Sequence, residues 1–145
     1  MSGEILGIIG HTEGRGKGRI MRKYALVFSS ESFIAAKLGG VLGTTLGYSF
    51  GITGLAIYNR SRNKKAEKLK DISADEILKA DSDNFMIPYQ DIVKVEMKKG
   101  GMLSPTKFTF FTKEKKYAFN LLDKKTFKEC VDLIQSILQD RVIIK

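Results

Sequence analysis

Apolar and polar positions along this chain follow two rhythms, separated by a stretch that has neither. Glu4 to His11 gathers Ile5, Leu6, Ile8 and Ile9 in a short run that predicts a β-strand. After the loop EGRGKGR, Ile20 to Phe28 predicts a second strand, whose end, YALVF, is apolar on both faces, as in a strand covered on two sides. Ser29, Ser30 and Glu31 make a turn, and Ser32 to Lys37 predicts a third strand. The strand rhythm returns at Phe85 to Tyr89 and continues through Ile92 to Lys98. There, alternation puts Val93, Val95 and Met97 on one face and Lys94, Glu96 and Lys98 on the other. Gly100, Gly101 and Pro105 mark a loop. Phe108 and Phe110 then face a core from one strand, and Tyr117, Phe119 and Leu121 face it from a hairpin partner across a turn at Lys113 to Lys116. The rhythm finally changes to steps of three and four: Phe127, Cys130, Val131, Ile134, Ile137 and Leu138 predict an amphipathic helix, with Asp123 as its N-cap. Arg141 to Lys145 reads as a short β-like tail.

Between the third and fourth strands lies Leu38 to Tyr58, 21 residues without a charge, six of them glycine. Gly39, Gly43, Gly47 and Gly51 recur every four residues, which on a helix clears one face for close approach of another helix, as in a glycine zipper. As a helix the segment would be about 30 Å long, the thickness of a bilayer core. Four glycines at about 1 kcal/mol each against alanine call for a packing reason. Three readings stay open: a close-packed helix or connector in a soluble protein, insertion into a membrane without crossing, and a span. Beyond it, residues 59 to 70 have helical composition, and Ser73 with Glu76 has capping-box spacing for a short helix through Ile77, Leu78 and Ala80.

The charge sharpens this picture. The net +9 sits in two places: residues 11 to 23, with Arg15, Lys17, Arg19, Arg22 and Lys23 against Glu13, and residues 59 to 70, with Arg60, Arg62, Lys64, Lys65, Lys68 and Lys70 against Glu67. Concentrated positive charge beside an apolar segment points to anionic lipid headgroups, with nucleic acid as the other usual partner. At 145 residues the chain is expected to form one domain with a real core. The single Cys130 leaves no internal disulfide and no thiolate metal site, in keeping with a reduced, cytoplasmic setting. The start, MSGEILGIIG, carries Glu4 where a leader would carry a basic region, which argues against a secretory signal.

The local sequences resemble a known family. KYALVFSSESFIAAK looks like the second and third strands of bacterial and archaeal pleckstrin-homology-like (PH-like) and GRAM-like domains. MIPYQDIVKVEMKKG resembles their strand pair around an Ile-Pro-Tyr turn. TKFTFFTKEKKYAFNLLDKKTFKECVDLI is similar to their last hairpin and capping helix. The resemblance covers residues 4 to 37 and 85 to 140. It implies a mainly β (α+β) fold: a partly open barrel of seven strands capped by a C-terminal helix, with residues 38 to 84 inserted between strands three and four. It also implies that Arg15, Lys17 and Arg19, on the first loop, take the headgroup-binding role that basic residues of that loop have in such domains. In an up-and-down sheet the first loop and the insertion emerge at one end, so both basic patches are expected on a shared rim. A single crossing by residues 38 to 58 would divide one sheet between two sides of a bilayer, so a PH-like fold and a span exclude each other.

Other chemistries fit poorly. GRGKGR lacks the Walker spacing, Lys17 is followed by Gly18, and a strand follows where a helix belongs. No aromatic residues interleave with the basic ones, as a single-strand nucleic-acid platform requires. No Ser/His/Asp arrangement, metal cluster or apolar carboxylate pair can be assembled, so neither catalysis, a cofactor nor a small-molecule substrate is expected. The reading is a non-enzymatic, membrane-associated module that attaches through Arg15, Lys17, Arg19, Arg22, Lys23, Arg60, Arg62, Lys64 and Lys65 to anionic membrane or a membrane-bound partner. The alternative is a soluble interaction module, a homo-oligomer or partner-helix binder acting through Gly39, Gly43, Gly47 and Gly51. Nucleic-acid binding ranks third.

Overall fold

The computed structural model describes residues 5–15, 20–37, 57–59, 74–79, 82–122 and 124–145. Its strands are β1 (Ile5–Gly14), β2 (Arg22–Ser29), β3 (Ser32–Lys37), β4 (Ile57–Asn59), β5 (Phe85–Pro88), β6 (Ile92–Lys98), β7 (Thr106–Thr112), β8 (Lys116–Leu121) and β9 (Val142–Ile144). Two α-helices join them, α1 (Ala74–Lys79) and α2 (Phe127–Leu138). The fold is mainly β. The strands make one sheet in the order β5-β3-β2-β1-β8-β7-β6-β9, which does not close on itself, and β4 pairs with β1 off that path. Every pairing is antiparallel except β6 with β9.

The two meanders, β1 to β3 with β5 and β6 to β8, meet where β1 pairs with β8. That contact runs only from Thr12↔Leu121 to Gly14↔Phe119. A Cβ on Gly14 would stand 2.7 Å from the Ala118 carbonyl oxygen and 2.9 Å from the Phe119 ring, so glycine is what lets the strands close up here. The register of β1 shifts between Ile9 and Thr12, and its first half, Gly7 to Ile9, is paired instead by β4. This corrects the helical reading of residues 38 to 58 at its end: Ile57 and Tyr58 are strand. β-Branched and aromatic residues suit that role, and an edge of β1 that β8 does not reach needs a partner for its N–H and C=O groups. The four glycines named above lie outside the described residues.

The main core lies between the sheet and α2. Tyr24, Leu26 and Phe28 of β2, Phe33 of β3, Phe108 and Phe110 of β7 and Phe119 of β8 meet Cys130, Val131, Leu133, Ile134 and Leu138 of the helix. Phe33 is central, with ring centroids 4.4 Å from Phe110 and 5.7 Å from Phe28. The opposite face of β1 to β3 is apolar as well: Ile8, Val27 and Ile34 form a row across the pairings, and all three are buried. The two-sided apolarity of YALVF thus holds. Phe127 and Ile137 flank the helix stripe half-buried, and Leu133 belongs to it although periodicity had left it out. Asp123 lies outside the described residues, and a 3-10 turn, Lys124–Thr126, leads into α2.

Val93 departs from the expected alternation. Ile92 pairs with Thr112 and Lys94 with Phe111, so β6 has one residue more than β7 at that point. The bulge leaves Val93 54% exposed while Ile92, Val95 and Met97 are buried. The second strand begins later than expected, at Arg22, so Ile20 and Met21 stand exposed before it.

The seam between β5 and β6 is held by Tyr89. Its hydroxyl donates to the Ser29 carbonyl at 2.6 Å and its N–H to the Glu31 carbonyl at 3.0 Å. Burial pushes the Tyr89 phenol well above the usual tyrosine range. Arg141 Nη1 donates to the carbonyls of Tyr89 (2.6 Å) and Ile92 (3.1 Å), which places the tail for β9 to pair with β6. Glu96 fastens that pairing: hydrogen bonds from Lys145 and then Lys94 hold its carboxyl below the usual range.

Cys130 is 0% exposed. It should react slowly with a thiol reagent in the native protein and quickly in denaturant. Fast native labelling would turn α2 away from the sheet.

Candidate functional site

One end of the sheet collects cationic side chains from four separate parts of the chain. β1 ends there at Gly14, opposite Arg22 at the start of β2, and Arg15 follows, exposed. β3 ends there at Lys37, opposite Tyr24. β8 begins there, so the turn between β7 and β8 carries Lys113, Glu114, Lys115 and Lys116 at the same end, all exposed. α1 packs on β3 and brings Lys79, also exposed.

The parts are tied together by polar contacts. Asp83 Oδ2 accepts from Arg22 Nη1 at 2.7 Å and from Lys37 Nζ at 3.3 Å. Asn84, 4% exposed, accepts from the Lys37 N–H through Oδ1 (2.7 Å) and donates from Nδ2 to the Ile77 carbonyl (2.7 Å), locking α1 to the end of β3. Beside this lock lies an open depression of 710 Å³, lined by residues including Leu78, Lys79, Phe85, Lys115 and Tyr117. The Phe85 and Tyr117 rings stack at 5.2 Å, and Lys115 Nζ sits 4.8 Å from the Tyr117 centroid. An aromatic floor under two lysines can hold an anion by charge while excluding water from one side of it.

Among the residues expected from sequence, Arg15 and Lys23 are exposed at this end, and Arg22 is engaged by Asp83. Lys17 and Arg19 lie outside the described residues, as do Arg60, Arg62, Lys64 and Lys65. The shared rim expected for both basic patches involves residues 60–70, which lie outside the described residues. β4 runs away from the rim, and its last residue, Asn59, pairs with Gly7 near the other end of β1. Sequence reasoning missed Lys79, Lys113, Lys115 and Lys116. The turn itself was legible in TKEKK, but only the pairing of β8 with β1 brings it beside Arg15.

The strands on either side of residues 38–56 belong to one sheet: β3 ends at Lys37 at the rim, and β4 begins at Ile57, opposite Ile9 near the middle of β1. Among the described residues, no helix is long and apolar enough to cross a membrane, and no cluster of His, Cys, Asp and Glu could hold a metal ion. No protein-family model matches the chain, and no match was found among curated proteins.

Proposed function

We propose that the chain is a PH-like, non-enzymatic module that attaches to an anionic membrane surface through the cationic end of its sheet. The observation that carries this reading is the convergence there of Arg15, Lys23, Lys79, Lys113, Lys115 and Lys116, against Asp83, which is already paired, Glu13, which lies opposite Lys23, and Glu114. The strand order, two antiparallel meanders joined through β1 and β8 with one helix over the open side, supports the family resemblance. Residues 38–56, which carry no charge, follow Lys37 at that end in the chain, so a bilayer held there by charge would be offered an apolar segment to take up without a crossing.

Each cation near an anionic leaflet contributes about 1 kcal/mol. Binding to phosphatidylserine-containing vesicles is therefore expected to be strong at low salt, to weaken as salt rises, and to be slight on phosphatidylcholine alone. Changing Arg15, Lys17 and Arg19 together to Glu, or Lys113 and Lys115 to Glu, should each lower that binding by about ten-fold or more, with the thermal melt unchanged. Equal binding to charged and neutral vesicles would defeat the proposal. A salt-insensitive soluble oligomer would favour association through the glycine face, and tighter binding to single-stranded RNA at matched salt would favour the nucleic-acid reading.

A further inference from the structure

A second feature points away from that rim. The loop between β6 and β7 carries Met102 and Leu103 side by side, 99% and 102% exposed. Two neighbouring apolar side chains held wholly in water are unfavourable, and here the backbone offers them no retreat. Gly100 N–H donates to Thr106 Oγ1 at 3.0 Å, and Gly101 N–H donates to Ser104 Oγ at 2.8 Å. Lys124 Nζ, from beyond β8, donates to the carbonyls of Gly101 (2.7 Å) and Ser104 (3.1 Å). A Cβ on Gly100 would lie 2.1 Å from the Ser104 carbonyl oxygen, so the loop closes too tightly for any other residue. The tip is thus fixed in place with its apolar side chains outward.

The base of the loop is equally one-sided. Lys98 and Lys107 face each other directly across the β6–β7 pairing, and Lys99 follows; all three are exposed, and no ion pair engages them among the described residues. Like charges directly opposite in a sheet repel, so this arrangement costs stability until an anion lies over it. Leu122, 44% exposed, extends the apolar tip from the strand end beside it. Glu96, two residues before Lys98, is engaged by Lys94 and Lys145, and Asp123, next to Leu122, lies outside the described residues. An apolar point above a cationic collar matches the layering of an anionic bilayer, with phosphates outside and hydrocarbon within, better than a protein groove, which would need an acidic rim around a two-residue pocket.

We propose that residues 99–105 form a second lipid contact, in which Met102 and Leu103 enter the acyl boundary while Lys98, Lys99 and Lys107 meet phosphates. β7 leads from this loop to the rim turn, and seven residues at about 3.3 Å each set the two roughly 20 Å apart. The two contacts therefore present to separate surfaces, and the protein should tether one anionic vesicle to another.

The chain has no tryptophan, so one placed at either contact reports on that contact alone. Full-length Leu103→Trp and Glu114→Trp would be mixed with phosphatidylcholine vesicles with and without phosphatidylserine, some carrying brominated acyl chains. With phosphatidylserine present, the residue 103 reporter should shift to the blue and be quenched by bromine. The same vesicles should cluster, and Met102→Ser with Leu103→Ser should reduce clustering by about ten-fold while retaining the native melt. A response at residue 114 without one at residue 103 overturns the loop contact and leaves the rim reading standing. A response at residue 103 alone supports the loop and removes the rim. Silence at both overturns both.

Discussion

Phe33→Ala is expected to lower the free energy of unfolding by about 3–5 kcal/mol, the range for removing a buried aromatic ring from a packed core. Phe33 is 0% exposed and touches both meanders: its ring lies 5.7 Å from Phe28 on β2, 4.4 Å from Phe110 on β7 and edge-on to Phe119 on β8 at 6.4 Å. Among the described residues the meanders share backbone hydrogen bonds only along the short β1–β8 pairing, so side-chain packing must hold most of their interface. Removing the ring leaves a cavity at the point where the halves meet, and collapse into it would require both sheets to move. For a chain of this size the melting temperature should fall by roughly 6–20 °C. Phe127→Ala serves as the contrast. That ring is half-buried at the margin of the core, 6.1 Å from Phe108, and its loss should cost about 1–2 kcal/mol. Equal losses in urea titrations of the two variants would mean that Phe33 is not the junction described.

Asn84→Ala should cost about 2–4 kcal/mol, although it removes only a small polar side chain. The Asn84 amide is the shared partner of the Lys37 N–H and the Ile77 carbonyl, and neither has room to recruit water freely at a site 4% exposed. Alanine would strand both groups. Asn84→Asp separates the two bonds: a carboxylate still accepts from Lys37 but turns an acceptor toward the Ile77 carbonyl, so it should be no better than alanine. Hydrogen exchange across residues 74–79 should rise in both variants more than in β6 or β7, because the amide is what docks α1. If exchange rises uniformly, Asn84 acts on global stability and not on the docking of α1. Loss of that docking should also displace Lys79 from the depression it shares with Lys115, which links this core contact to the cationic rim.

Much of the strand pattern was readable because burial leaves a direct imprint on local composition. Ser32 to Lys37 and Ile92 to Lys98 coincide with β3 and β6, and α1 begins at Ala74, while Ser73, the expected cap, lies outside the described residues. The outward turn of Val93 was not readable, because a bulge is decided by how two strands share hydrogen bonds and leaves no mark on the alternation of one of them. The ends of the glycine-rich segment show the same limit. Ile57 and Tyr58 continue its apolar composition, and only the unfilled edge of β1 beyond the reach of β8 draws them into the sheet.

The candidate site divides along the same line. The sequence by itself determined that positive charge is concentrated, that Arg15 to Lys23 lie at the end of a strand, and that TKEKK is an exposed basic turn. Charge and turn chemistry are local properties, legible residue by residue. Which cations share a surface was decided only by the tertiary structure. The pairing of β8 with β1 brings Lys113 and Lys115 to the Arg15 end, and the direction of β4 carries Asn59 toward the other. Long-range pairing joins residues about a hundred positions apart, and its outcome depends on complementary edges and a common core that no single window of sequence contains.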